Sequence, residues 1–215
     1  MLAQGDRSPI VLPRLHLITD TRDGRDCVPV VESALAAGLR AVQVRAKQWS
    51  DRSLYDLTRR IVALAQPYAA TVLVDDRADI ALAAGAGGVH VGADDLPVAD
   101  VRRVVGPEAI VGATARTPEA ARLARADGAT YVGVGPAYAT KTKTGLPDPL
   151  GPDRIGAVAA AVDIPVIAIA GIGPREASEL RAAGAHGVAV VSAISDAADP
   201  KAATAELLTA VDGAR

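Results

Sequence analysis

Val166-Ile167-Ala168-Ile169 runs into Ala170-Gly171-Ile172-Gly173, and Gly187-Val188-Ala189-Val190-Val191 runs into Ser192-Ala193-Ile194-Ser195. Each reads as a short buried parallel strand followed by a loop of small residues that opens onto a helix. Small side chains let backbone N–H groups approach an anion, and a helix N-terminus adds a favourable dipole. In a closed eightfold β/α barrel, the neighbouring loops after the last two strands are where a substrate phosphate commonly sits. These two stretches therefore set both the fold and the kind of ligand to expect.

Working outward, the same alternation recurs along the chain. Strands are expected at 15–19, 41–45, 71–74, 88–91, 110–113, 130–134, 166–169 and 187–191. Between them, helices are expected at 28–37, 51–65, 78–84, 98–105, 118–126, 152–161, 174–183 and 200–211. Thr117-Pro118-Glu119 and Gly173-Pro174-Arg175-Glu176 carry helix-start signals. Ala37-Gly38, Ala84-Gly85, Asp127-Gly128 and Ala183-Gly184 each stand a few residues before a strand, where a glycine ends the preceding helix. Eight strands, phosphate loops after the last two and no early GxGxxG predict a (β/α)8 TIM barrel rather than a doubly wound sheet. The expectation is a single α/β domain over residues 1–215, with 1–13 as a short N-terminal extension. The segment from Gly135 to Gly151 is too long and too polar for a simple connector, which marks it as functional.

Composition narrows the function. The chain has 215 residues, 50% of them hydrophobic, with no Phe, one Trp and four Tyr, so its core must come from Ala, Val, Leu and Ile. A net charge of −2 gives no electrostatic case for nucleic-acid or membrane binding. No apolar span approaches the ~20 residues of a membrane helix, and the first residues lack the apolar stretch of a signal peptide. Cys27 is the only cysteine, which excludes an intrachain disulfide and suits a reducing compartment. The expectation is a soluble cytoplasmic protein acting on small molecules; homo-oligomerisation is left open.

Chemistry should sit at the C-terminal ends of the strands. Gln43, Arg45 and Lys47 alternate along the second strand end and share one side. Arg supplies a planar fork and Lys a compact charge, a combination suited to a diphosphate, although a solvated basic strand end has the same composition. Val74-Asp75-Asp76-Arg77 and Gly92-Ala93-Asp94-Asp95 end adjacent strands. Carboxylates there could share Mg²⁺, which takes oxygen ligands and keeps substrate phosphates in its shell; Asp76 and Asp95 could equally be helix N-caps. His90 reads as a packed strand residue, since no second His or Cys stands at metal-site spacing. Thr140-Lys141-Thr142-Lys143 alternates hydroxyls and amines suited to anionic oxygens. Thr114 and Thr117 add hydroxyls to the rim, Thr117 chiefly as a cap. No nucleophile–His–acid set can be assembled from His16, His90 and His186. The rim is equipped to stabilise a departing diphosphate rather than to move protons.

Taken together, these motifs resemble the thiamine phosphate synthase and thiazole tautomerase family. The likeness runs from about Leu15 to the C-terminal helix. It is carried by Gln43-Val44-Arg45-Ala46-Lys47, Asp75-Asp76, Gly92-Ala93-Asp94-Asp95-Leu96, Gly135-Pro136 with Thr140 to Lys143, Ala170-Gly171-Ile172, and Val191-Ser192-Ala193-Ile194. The resemblance implies a barrel that joins hydroxymethylpyrimidine diphosphate to thiazole phosphate with release of pyrophosphate. By position, Gln43, Arg45, Lys47 and Lys143 would hold the diphosphate substrate, and Asp76 and Asp95 would hold Mg²⁺. Gly171, Val191 and Ser192 would bind the thiazole phosphate, with Thr140 and Thr142 nearby. The implied mechanism is dissociative: the C–O bond to diphosphate breaks before the thiazole nitrogen traps the pyrimidine cation.

Three positions depart from the family pattern. Asp75 stands where an Asn is usual; an ionised Asp accepts hydrogen bonds but cannot donate them to a ring nitrogen. Thr114 replaces a Ser and keeps the hydroxyl. Arg116 replaces the His that the related tautomerases use for proton transfer, and a guanidinium is a poor base. Two other readings stay open on these residues: the same barrel acting on a different heterocycle, and a non-catalytic binder of thiamine phosphates.

Overall fold

A computed structural model describes residues 12–140, 142 and 145–213 of the chain. The apolar runs form eight parallel strands: β1 (Leu15–Ile18), β2 (Ala41–Val44), β3 (Thr71–Asp75), β4 (Gly88–Val91), β5 (Ile110–Thr114), β6 (Tyr131–Val134), β7 (Val166–Ile169) and β8 (Gly187–Val190). Each pairs with the next and β8 pairs with β1, so the sheet closes into the expected barrel. The helices are α1 (Val28–Ala36), α2 (Asp51–Ala65), α3 (Ala78–Ala84), α4 (Val98–Val105), α5 (Pro118–Ala126), α6 (Gly151–Ala159), α7 (Pro174–Ala182), α8 (Ser192–Ser195) and α9 (Pro200–Gly213). The one-turn α8 was not expected from the sequence; it forms where the small residues after β8 turn back across the barrel mouth. Among the described residues, no helix is long and apolar enough to cross a membrane.

Alternation along each strand divides the core into two layers. Val42, Val44, Val72, Val74, Val89, Val91, Val132 and Val134 belong to the layer between sheet and helices. Ile18, Leu73, Ile110, Tyr131, Ile167 and Ala189 fill the barrel interior. Burial of each large aliphatic side chain contributes about 1.5–3 kcal/mol. The interior also takes polar side chains: His16 and Gln43 are buried there, and His90 faces the barrel mouth from β4. Glycines make the room. A Cβ on Gly112 would lie 2.2 Å from Tyr131 Cζ, and one on Gly133 would lie 2.9 Å from His90 Cε1. Register brings these residues side by side, with Asp75 opposite His90, His90 opposite Gly112, and Gly112 opposite Tyr131.

Local signals set the helix ends. Ser50 and Thr117 cap α2 and α5, accepting from Ser53 N and Ala120 N. Gly38, Gly85, Gly128 and Gly184 all carry positive φ at the turns where helices end. The N-cap reading of Asp76 and Asp95 is corrected: α3 and α4 begin after Arg77 and Pro97, each without a side-chain cap. Asp76 and Asp95 stand one and two residues before the cap positions Arg77 and Pro97, and Asp76 lines the barrel mouth.

Candidate active site

The mouth of the barrel holds a cavity of about 320 Å³. On one wall, β2 and β3 build a charged cluster. Gln43 Nε2 donates to Asp75 Oδ1 at 2.9 Å. Arg45 Nε lies 3.2 Å from Asp75 Oδ2. Their alignment does not make a hydrogen bond, so this buried oxygen remains an acceptor without a donor. Burial, aided by the charge of Asp76, pushes the Asp75 carboxyl up to about 6 against the pull of Arg45 and Lys47. Beyond it, Lys47 Nζ contacts Asp76 Oδ2 at 2.7 Å.

Asp76 adopts a left-handed backbone (φ 65°), a conformation Asp tolerates better than most residues and one that turns its carboxyl across the rim. There it hydrogen-bonds with the carboxyl of Asp95, whose Oδ2 also accepts from Gly92 N at 2.7 Å. Burial and the neighbouring Asp95 raise Asp76. Burial opposes ionisation of Asp95 too, but hydrogen bonds from Asp76 and Gly92 and the charge of Lys47 outweigh it and lower that group. Two carboxyls crowded together, with only one ammonium between them, make an all-oxygen donor pair that a divalent cation would relieve. Among the described residues no group of three or more His, Cys, Asp or Glu is gathered at one point. An all-oxygen pair of this kind suits an ion that takes the rest of its shell from water and phosphate, as Mg²⁺ does.

The opposite wall is made of small residues. Ala170 and Gly171 after β7 both have positive φ (80° and 69°). For Ala170 that conformation costs about 1–2 kcal/mol. A Cβ on Gly171 would lie 2.5 Å from Ala139 O, so only glycine fits where this turn passes beneath the β6–α6 segment. Val191 and Ser192 line the cavity at the start of α8, where Val191 O accepts from Ile194 N and Ser195 N and closes the turn. Thr142 Oγ1 donates to Ser192 Oγ at 3.3 Å, and Thr142 N donates to Thr140 Oγ1 at 3.2 Å, so the β6–α6 segment and α8 meet over the cavity. Arg116 fastens that segment at both ends, donating to Gly135 O at 2.9 Å and to Asp148 O at 3.0 Å. Lys143 lies outside the described residues.

The structure thus brings Gln43, Arg45, Lys47, Asp75, Asp76, Thr114, Thr140, Thr142, Gly171, Val191 and Ser192 to one cavity, with Asp95 against Asp76 at its edge. The floor was not anticipated. His90 pairs through Nδ1 with Tyr131 Oη at 2.9 Å and through Nε2 with Thr114 Oγ1 at 3.1 Å. His16 packs edge-on against the Tyr131 ring, and its Nε2 pairs with Pro13 O at 3.0 Å. Burial lowers both imidazoles to about 4 and raises the Tyr131 phenol, so the floor is polar but neutral at pH 7. His90 is packed, as its strand position suggests, but it also faces the ligand space. Inward alternation of His16, His90 and Tyr131 across three strands was the available signal.

Comparison with known proteins agrees with this geometry. Residues 15–194 match the family model described as thiamine monophosphate synthase. The thiamine-phosphate synthase of Salinispora tropica is 53% identical over 203 residues, covering 93% of this chain and 98% of that protein. That of Moorella thermoacetica is 43% identical over 203 residues, covering 94% and 97%. The thiamine phosphate pyrophosphorylase structure from Pyrococcus furiosus superposes with a TM-score of 0.85 at 35% identity, covering 94% and 96%. More distant barrels, such as a 3-hexulose-6-phosphate synthase at 20% identity and TM-score 0.67, share the fold alone. A matched family model over most of the chain, close full-length relatives and a barrel mouth built from the same motifs agree: this chain belongs to the thiamine monophosphate synthase family.

Proposed function

We propose that the chain joins hydroxymethylpyrimidine diphosphate to thiazole phosphate, a transfer that forms a C–N bond and releases pyrophosphate. The observation that carries this reading is one cavity with a cation-and-carboxylate cluster on one wall and a small-residue anion loop on the other. The C–O bond to diphosphate breaks and its electron pair leaves with pyrophosphate. The lone pair of the thiazole nitrogen then forms the new C–N bond. No proton need be removed from the nucleophile, so the reaction asks for no general base. Arg45 and Lys47 would hold the diphosphate, with Lys143 as a third cation, and stabilise charge as it accumulates on the leaving group. Gln43 and Asp75 would orient the pyrimidine beside Thr114. Gly171, Val191, Ser192, Thr140 and Thr142 would hold the thiazole phosphate. Asp76 and Asp95 would hold Mg²⁺, which when bound supplies further neutralisation of the leaving group. We place the protein in the cytoplasm, because its one cysteine, Cys27, is buried and free.

Asp75 supports a second reading. Asp75 lines the cavity, and an ionised carboxylate accepts but does not donate, which suits a heterocycle that presents N–H groups there. The test is pyrophosphate release by purified protein with Mg²⁺, the pyrimidine diphosphate and thiazole phosphate. Turnover supports the synthase; release only with another donor or acceptor supports the second reading. Binding of the condensed product without turnover would leave a non-catalytic binder. Asp76→Ala should lower turnover by about two orders of magnitude and leave the fold intact, with Tm lowered by the ~1 kcal/mol that alanine costs in this left-handed backbone; near-wild-type rates in that variant would remove the metal assignment.

A further inference from the structure

The turn after β1 carries a buried carboxylate that the proposed chemistry does not use. Asp20 is 4% exposed, an unusual place for an Asp unless it is fully paired. Arg22 grips it with a two-pronged contact, Nε to Oδ1 and Nη2 to Oδ2, both at 2.7 Å. Arg25 Nη1 donates to Oδ2 at 3.0 Å. The same Arg25 nitrogen reaches across to Asp196 Oδ1 at 2.5 Å, and Arg22 Nη2 lies 3.8 Å from Asp196 Oδ2. Asp196 follows directly on α8, and its amide donates to Ser192 O at 3.0 Å. A chain of charges therefore runs from the buried Asp20 to the turn that presents Val191 and Ser192 to the cavity.

The other side of the same turn holds the opposite wall. Arg45 N donates to Thr19 Oγ1 at 2.8 Å, and the hydroxyls of Thr19 and Thr21 donate to Arg45 O at 3.1 and 3.3 Å. Thr19 N donates to Gln43 O at 2.9 Å. This bridging position follows from the topology, since β1 lies between β8 and β2 in the barrel. An isolated helical turn the length of α8 has no stability of its own. Ile194 anchors it to the core, while the Arg25–Asp196 contact fixes its far end against the β1 turn.

We propose that Asp20 and Arg25 are positioning residues that hold the Val191–Ser195 turn at a fixed distance from Arg45, so that one loop sets the spacing between the two substrates' phosphate groups. The proposal rests on the synthase reading above. Its ligand is the acceptor's phosphate monoester, which the turn binds; the diphosphate is held independently by Arg45 and Lys47.

The test uses the full chain with Arg25→Met, Asp196→Asn, the conservative Arg25→Lys, and the Arg25→Met/Asp196→Asn pair. Arg25 and Asp196 are both about half exposed, so these variants should fold. Arg25→Met and Asp196→Asn should each raise KM for thiazole phosphate by about fivefold, the size of one well-placed ion pair. KM for the diphosphate substrate should stay within about twofold. The double variant should be no worse than either single, and Arg25→Lys should recover most of the loss. Calorimetric affinity for thiazole phosphate should follow the same ranking, which reads the positioning without turnover. Flat KM and affinity in an active protein would overturn the proposal, as would equal weakening of both substrates. Loss of the synthase reading would show separately, as wild-type protein that forms no product.

Discussion

Replacing Asp75 with Asn should stabilise the protein, and by an amount that depends on pH. The native carboxyl is pushed from 3.8 to about 6, first by burial and then by Asp76. The folded state therefore holds this proton more tightly than the unfolded chain does. Linkage fixes the sign: the favourable contribution of protonated Asp75 is complete below pH 3.8 and is lost as pH rises through about 6. By pH 8 the ionised, buried carboxylate costs about 3 kcal/mol, against about 1 kcal/mol at pH 4.5. Asn keeps the shape and still accepts from Gln43 through Oδ1, but carries no charge. The pull of Arg45 and Lys47 is already counted in that balance, so no separate ion-pair loss is subtracted. The gain at pH 8 is therefore about 3 kcal/mol, or roughly 6–12 °C in Tm for a chain of this size. At pH 4.5, where the folded carboxyl is protonated, the gain falls to about 1 kcal/mol. Thermal unfolding followed by circular dichroism, in EDTA so that no divalent cation screens Asp76, measures both conditions. An equal advantage at the two pH values, or a lower Tm for the variant at pH 8, would refute the assignment of Asp75 as a buried, poorly solvated charge.

Two further outcomes follow from the barrel interior. Gly112→Ala would place a methyl 2.2 Å from Tyr131 Cζ, where the ring is enclosed on every side. It should cost about 3 kcal/mol, read as a lower urea midpoint with unchanged slope. His16 and His90 sit near 4 instead of 6.5, chiefly through burial, so the stability they contribute is complete above pH 6.5 and is lost as pH falls toward 4. Each should cost about 2 kcal/mol between pH 7 and 5. His90→Gln should accordingly show a shallower fall in Tm over that range than the wild type, and an unaltered fall would show that His90 titrates freely.

Much of this architecture can be read from the chain because each element's local pattern agrees with its tertiary role. Val166–Ile169 and Gly187–Val190 are apolar on both faces because the barrel buries both. Strand alternation turns Gln43 inward on β2, and the chain leaving that strand carries Arg45 and Lys47 to the same cavity. What escaped reading depends on contacts far apart in sequence. Asp20 looks like an ordinary loop carboxylate until Arg25 and Asp196 meet across the barrel seam. His90 looks like a packed residue until Gly133 opens the space in front of it. Asp76 and Asp95 have the residue type of a cap, but the helices begin at Ala78 and Val98, as their sequence pattern indicates, so both carboxylates fall short of the capping position.

The neutrality of the cavity floor bears directly on the proposed order of bond changes. When the bond to diphosphate breaks first, positive charge grows on the pyrimidine carbon while negative charge grows on the leaving group. Arg45 and Lys47 stand at the rim, where the anion departs. A charged imidazole beneath the ring would oppose the growing cation: at about 5 Å and an effective dielectric near 20, the repulsion is roughly 3 kcal/mol, about two powers of ten in rate. Burial prevents this by holding His90 near 4, and the hydrogen bonds to Tyr131 and Thr114 keep the neutral ring oriented. The same separation of charge explains why Arg116 is compatible with the site, although it stands where the related tautomerases need a base. Its guanidinium is directed at Gly135 O and Asp148 O, so its charge is used on the loop.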